Sequence, residues 1–229
     1  MKEHGIIFNA EMVRAILDGR KTQTRRIVKT VPTTHDFHGW VMSSTCAKDE
    51  GKACWAIGNS PLLKDPIRLN CPLGKIGDRL WVRETWMPDA PRDGTWSDVE
   101  FYGCKNSPLS MIPERYRSPG HCIYRATWKG HELIGWTPSI HMPRWASRIL
   151  LEITGVRVER LQDISEDDAV AEGVAPLHGG YWKHYQPGWT QHQLSARGSF
   201  VTLWNSINGV DAWYKNPWVW VIEFKQIQG

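Results

Sequence analysis

No run of 18 apolar residues occurs anywhere in this chain, and its first residues, Met1-Lys2-Glu3-His4-Gly5, carry charge where a secretory leader would carry an apolar block. Neither a membrane span nor an export signal is expected, so the chain reads as cytoplasmic, with no membrane partner. Cysteine is scarce and poorly spaced. The five thiols (Cys46, Cys54, Cys71, Cys104 and Cys122) are odd in number and far apart, which argues against a disulfide framework. They include no close Cys-x-x-Cys pair. Cys46, Cys54 and Cys71 could surround zinc with His35 or His38, but that spacing is not the usual one, and the expectation is no metal and no cofactor. Neither charge sign dominates: 28 Lys and Arg against 24 Asp and Glu leave a net charge of +4. A mildly basic chain of this kind is compatible with a polyanionic partner without requiring one. No internal repeat is visible.

Tryptophan is what the chain has in excess, with 14 in 229 residues. Most such rings serve as large core residues. Aromatic rings interleaved with Arg and Lys are also what unpaired bases stack against.

The most informative stretch is Gly19-Arg20-Lys21-Thr22-Gln23-Thr24-Arg25-Arg26. It sets a lysine three residues before a threonine, among arginines. Like charges push a lysine toward its neutral form, which is a base, and threonine is a nucleophile in need of one. To act near neutrality the Lys21 pKa must fall from about 10.4 to roughly 7–8, a difference of about 4 kcal/mol. Arg20, Arg25 and Arg26 with partial burial could supply that, or the same cluster could be a solvated loop gripping phosphate. In a regular strand, Lys21 and Thr24 would face opposite ways, so cooperation between them requires a turn or bulge.

Around this motif the sequence suggests a strand at Ile6-Ile7-Phe8 and a helix over Ala10–Asp18, capped by Asn9 and closed by Gly19. Residues 30–70 show no firm period. Arg79–Trp86 alternates as a strand with Leu80 and Val82 on one face, 87–120 is again irregular, and His121–Thr127 is a further strand candidate. Pro138–Trp145 reads as an ordered loop. Arg148–Leu161 reads as two strands joined or bent at Gly155. Ser165 caps a helix ending at Gly173, residues 174–198 are a Gly-, His- and Trp-rich insertion, and Phe200–Ile207 is a short helix. Trp218–Phe224, apolar but for Glu223, is expected as an interior strand. The expectation is an α+β protein: one domain over 1–229 built on a small, partly closed β-barrel with flanking helices, interrupted at about 30–70, 87–120 and 174–198.

The helix followed by GRKTQTR, the GDRLWVRE strand and the terminal strand ending VIEFK resemble the ASCH family, a branch of the PUA-like barrels. The longer chain, with its segment SIHMPRWASRILLEI, is similar to the ASCH proteins carried by phages and prophages. The resemblance covers 5–28, 76–86, 148–173 and 216–225. The small N(4)-acetylcytidine amidohydrolases of that family use the motif's lysine as proton acceptor, its second threonine as nucleophile and a glutamate on a later helix as proton donor. Carried over, these fall on Lys21, Thr24 and Glu172, the last through the run Ile164-x4-Ala169-x2-Glu172. The resemblance thus implies metal-independent amide hydrolysis on a modified nucleobase or nucleoside.

Other residues are candidates for contacts. Glu84 follows Arg83 on the GDRLWVRE strand and could be a working carboxylate or, in the preferred reading, an ion-pair partner for Arg25 or Arg26. Trp81, Trp86 and Trp145 could wall a flat base, with His141 and Arg144 as polar contacts at a cleft rim. Glu172, at the end of its helix, suits a proton donor, whereas Asp167 and Asp168 read as helix-start charges. The competing reading is a non-catalytic module for single-stranded RNA or DNA, with arginines on phosphates and tryptophans on bases. A ribonuclease acting on a 2′-hydroxyl is a third.

Overall fold

Burial alternates along β1 (Glu3–Ile7), where Ile6 turns inward and Gly5 and Ile7 outward. Asn9 then caps α1 (Ala10–Leu17), its side chain accepting from the Met12 N–H at 2.9 Å, which satisfies one free donor of the first turn. Gly19 ends the helix at φ 73°, a left-handed conformation that costs glycine least. That turn folds the chain back, so the N–H groups of Arg20 and Lys21 both donate to the Ala15 carbonyl at 2.9 Å. The computed structural model describes residues 1–32, 34–44, 46–58, 64–89, 109–130 and 135–227.

β2 (Gln23–Ile27) follows. The segment expected to be irregular, 30–70, instead carries β3 (Asp36–Trp40), β4 (Ala53–Ile57) and β5 (Lys64–Leu69), an antiparallel sheet of order β3-β4-β5. It is not an ornament. Ala53 and Trp55 enter the main core beside Leu80, Leu151 and Ile222, and Trp55 meets Trp220 edge-on with centroids 5.7 Å apart. β6 (Arg79–Arg83) buries Leu80 and Val82, as its alternation requires. β7 (Trp86–Pro88) pairs with β8 (Cys122–Tyr124), the only part of the His121–Thr127 run that is strand. Short turns of helix occupy parts of 109–121 and the Pro138–Trp145 loop. The stretch 90–108 within the 87–120 insertion lies outside the described residues, as does Cys104.

β9 (Leu150–Arg160) is one long strand and not two. Opposite Gly155 its register with the last strand, β10 (Trp218–Ile227), shifts by one residue, and a Cβ on Gly155 would lie 2.6 Å from a Glu223 carboxylate oxygen. Glycine therefore permits the bulge that bends the strand. Between β9 and β10 come α2 (Glu166–Ala171) and α3 (Ala196–Asn208). Ser165 caps α2 by accepting from the Asp168 N–H, and Gly173 closes it at φ 86°. Within 174–198, Trp182 bridges to Pro176 and Gln193.

The main sheet has the order β1-β6-β9-β10-β2, with β1 and β6 parallel and the other pairs antiparallel. β10 is interior, and both its faces are covered. Trp220 and Ile222 enter the core formed with β1 and α1, while Val219 and Val221 enter a second core under α2 and α3. That explains its unbroken apolar run from Trp218 to Ile222. The sheet is open: β1 and β2 are its two edges. Across the seam between them the Arg26 guanidinium donates to the Ile7 carbonyl at 2.9 Å. The fold is thus α+β and dominated by sheet. No described helix is long and apolar enough to cross a membrane.

Candidate functional site

Two glycine-terminated helices meet at Lys21. Gly173 sits so close that a Cβ there would lie 2.7 Å from the Lys21 Cβ and 2.9 Å from that of Ala15. Lys21 and Glu172 face one another in an isolated antiparallel bridge. The Lys21 Nζ donates to the Glu172 carbonyl and to its Oε2, each at 2.8 Å. A cation on the final carbonyls of a helix is favoured by the unsatisfied acceptors there. The amine is fully buried and lies 5.5 Å from the centre of the Phe8 ring.

The second oxygen of Glu172 is held by Arg25, whose Nη1 donates to Oε1 at 3.1 Å. The remaining donors of Arg25 go to Glu159 Oε1 and, at 3.2 Å, to Asp168 Oδ2. Arg157 extends the network to Asp168, Glu159 and Glu223, and Gln23 donates to Asp168 Oδ1 at 3.0 Å. A buried carboxylate with two cationic partners is the arrangement that offsets the cost of removing charge from water. Burial holds the Lys21 pKa below that of an ordinary lysine. Glu172 opposes the shift and the nearby Arg26 and Arg25 reinforce it. For Asp168, burial works upward, but Gln23, Arg25 and Arg157 together hold the carboxyl below its usual range.

Glu172 and Thr24 line the same cavity, of about 870 Å³, which opens between the edges of β1 and β2 and is walled on one side by α3. That is room for a nucleoside-sized ligand. Thr24 is buried, and among the described residues its hydroxyl has no hydrogen-bond partner. Lys21 does not line the cavity but stands behind the Glu172 carboxylate. The irregularity needed between Lys21 and Thr24 falls at Thr22. Its N–H donates to Ala171 while its C=O accepts from Phe224, each at 2.8 Å, so one residue engages opposite neighbours as no regular strand residue does.

The other candidates lie elsewhere. Glu84 is buried and held by Arg148 through both oxygens, at 2.9 and 3.0 Å, and not by Arg25 or Arg26. Burial raises its pKa and Arg148 opposes the rise. The Trp81 indole covers Gly5 and carries the Arg83 guanidinium at 5.3 Å. Arg83 itself donates to the Ser139 and Ile140 carbonyls. Trp86 is core, with Trp145 edge-on at 5.4 Å, while His141 is exposed and Arg144 pairs with Glu3 at 2.8 Å. None of Trp81, Arg83, Glu84, His141, Arg144 or Trp145 lines the cavity. Arg20, at the site's border, donates to the Gly173 carbonyl and to Asp18. Sequence reasoning missed Glu159 and Arg157 and took Asp168 for a helix-start charge only. Nothing local marks partners more than a hundred residues from Arg25. Among the described residues no three His, Cys, Asp or Glu side chains are grouped to hold a metal ion. No protein-family model, curated protein or solved structure matches the chain.

Proposed function

We propose that the chain is a PUA-like protein of the ASCH type that hydrolyses an amide on a modified nucleobase or nucleoside held in this cavity. One observation carries the reading: a buried Lys–Glu pair stands directly behind a cavity that also receives an unpartnered threonine hydroxyl. Burial favours the neutral form of Lys21, and its hydrogen bond to the Glu172 carboxylate gives a path along which a proton can pass between them. With Lys21 neutral, the Thr24 hydroxyl proton passes to it by way of the Glu172 carboxylate, the member of the pair that lines the cavity, as the Thr24 oxygen bonds to the acyl carbon. Glu172, the member of the pair at the cavity wall, returns that proton to the leaving nitrogen as the C–N bond breaks. Water then hydrolyses the acyl-threonine. Arg26, one of whose nitrogens is fixed by the Ile7 carbonyl, is placed to stabilise the developing oxyanion.

The phosphate-gripping reading asks for free cations. Arg20, Arg25, Arg83 and Arg144 are instead engaged by carbonyls and carboxylates of the protein itself. The test is Thr24→Val. Because the hydroxyl has no partner among the described residues, the variant should melt within a few degrees of the parent, while turnover of N(4)-acetylcytidine, followed by chromatography, falls by at least about 10⁴-fold. Undiminished turnover in the variant refutes the mechanism. A parent protein inert toward acylated cytidines refutes the activity.

A further inference from the structure

The hydrogen-bond alternation of the main sheet leaves two strand edges unpaired, and both open into the same cavity. In β2, Thr22 and Val28 bond to β10 through Phe224 and Trp218, and the register pairs every residue between them in step. Bonding therefore falls on the even-numbered residues, and the N–H and C=O of Arg25 and Ile27 turn to the free edge. In β1, the Lys2 carbonyl accepts from Arg79 and the Phe8 N–H donates to Arg83. By the same alternation Gly5 and Ile7 turn their backbone groups to the other side of the seam. Gly5, Ile7, Arg25 and Ile27 all line the cavity. β2 is an edge strand, so among the described residues no strand pairs with these backbone groups of Arg25 and Ile27.

We infer that this seam holds a planar heterocycle by an edge carrying adjacent hydrogen-bond donor and acceptor atoms, paired with the N–H and C=O of Ile27. A strand residue exchanges one such pair with a neighbouring strand, and a ring amide or amidine presents the same pattern in one plane. The proposal rests on the cavity assigned above and adds what reads the ring. Ile27 is the reader and Arg25 is not, because Arg25 adjoins Thr24 in the chain and its guanidinium holds Glu172, where the acyl group must sit. An added peptide strand fits less well. The Arg26 guanidinium spans the seam to Ile7, so a chain running the length of the edge would have to break that contact.

The experiment is amide NMR of the full chain titrated with uridine and with 3-methyluridine, whose ring N–H is blocked. Neither probe carries an acyl group, so the result does not depend on hydrolysis. Uridine should shift the Ile27 amide, and 3-methyluridine should bind about tenfold or more weakly. Ile27→Pro removes the edge N–H without removing a ladder bond, a position proline tolerates, and should weaken uridine by a similar factor while Ile27→Val does not. If the Pro variant fails to fold, the two-nucleoside comparison on the parent decides alone. Equal binding of the two nucleosides, no movement of the Ile27 amide, or tighter capture of an extended peptide at that amide overturns the inference. A protein that binds uridine in this way yet never hydrolyses acylated cytidine would sink the proposed reaction and leave the seam intact.

Discussion

Replacing Lys21 by Met removes one of the two cations on a carboxylate whose side chain is only 3 % exposed. Breaking a buried pair from one side costs about 3–5 kcal/mol, because the remaining charge is left without compensation. Here Glu172 keeps Arg25 on its other oxygen at 3.1 Å, which places the expected loss near the lower bound, about 3 kcal/mol. For a chain of this size each kcal/mol moves the melting temperature by about 2–4 °C, so a drop of about 6–12 °C is expected in thermal unfolding followed by circular dichroism. Glu172→Gln should be milder, since a lysine with a lowered pKa can shed its proton when its partner is gone. The double variant decides the matter. Once both charges are removed there is no stranded ion, so its loss should fall short of the summed single losses by about 2 kcal/mol. Single-variant effects that add within about 0.5 kcal/mol, or a Lys21→Met shift below about 2 °C, would show that the two side chains are not coupled, and the proton-relay argument would fail with them.

Gly173→Ala should cost at least about 1–2 kcal/mol for the left-handed backbone alone. It should also depress turnover, because the new methyl would crowd the Lys21 and Ala15 Cβ atoms at 2.7 and 2.9 Å; melting and hydrolysis assays on one preparation check both. Hydrolysis should rise with pH along a limb whose midpoint lies below the ordinary lysine value, and Lys21→Met should abolish that limb. The same lowered pKa makes stability rise with pH between that value and about 10.5, since the unfolded chain binds a proton that the folded one sheds. Urea unfolding at several pH values, parent against Lys21→Met, measures the slope.

Local signals in the sequence located the ends of the first two helices well, whereas the third starts at Ala196 under a Ser195 cap, inside the expected insertion and a full turn before Phe200. Asn9 and Ser165 cap, and Gly19 and Gly173 terminate, because these roles depend on side-chain reach and backbone freedom within a few residues. β3 to β5 escaped notice for a physical reason. Gly39 lies at φ 94° inside β3, Pro66 stands in β5, and Ala53 to Ala56 are buried on both faces, so neither alternation nor turn spacing marks them. The meeting of Lys21 with Glu172 was carried by resemblance, since 151 residues separate them. Glu84 shows the converse. Its strand was legible, but its partner Arg148 lies 64 residues away, and no local pattern prefers it to Arg25.

Helix α2 has only six residues, too few to persist alone in water. It is held in place by Ala169 in the second core and by the docking of Asp168 and Glu172 onto Arg25, Arg157 and Lys21. A nascent or partly melted chain therefore has neither the acid in position nor the amine dehydrated. On the proposed mechanism, competence for hydrolysis comes only once α2 has docked.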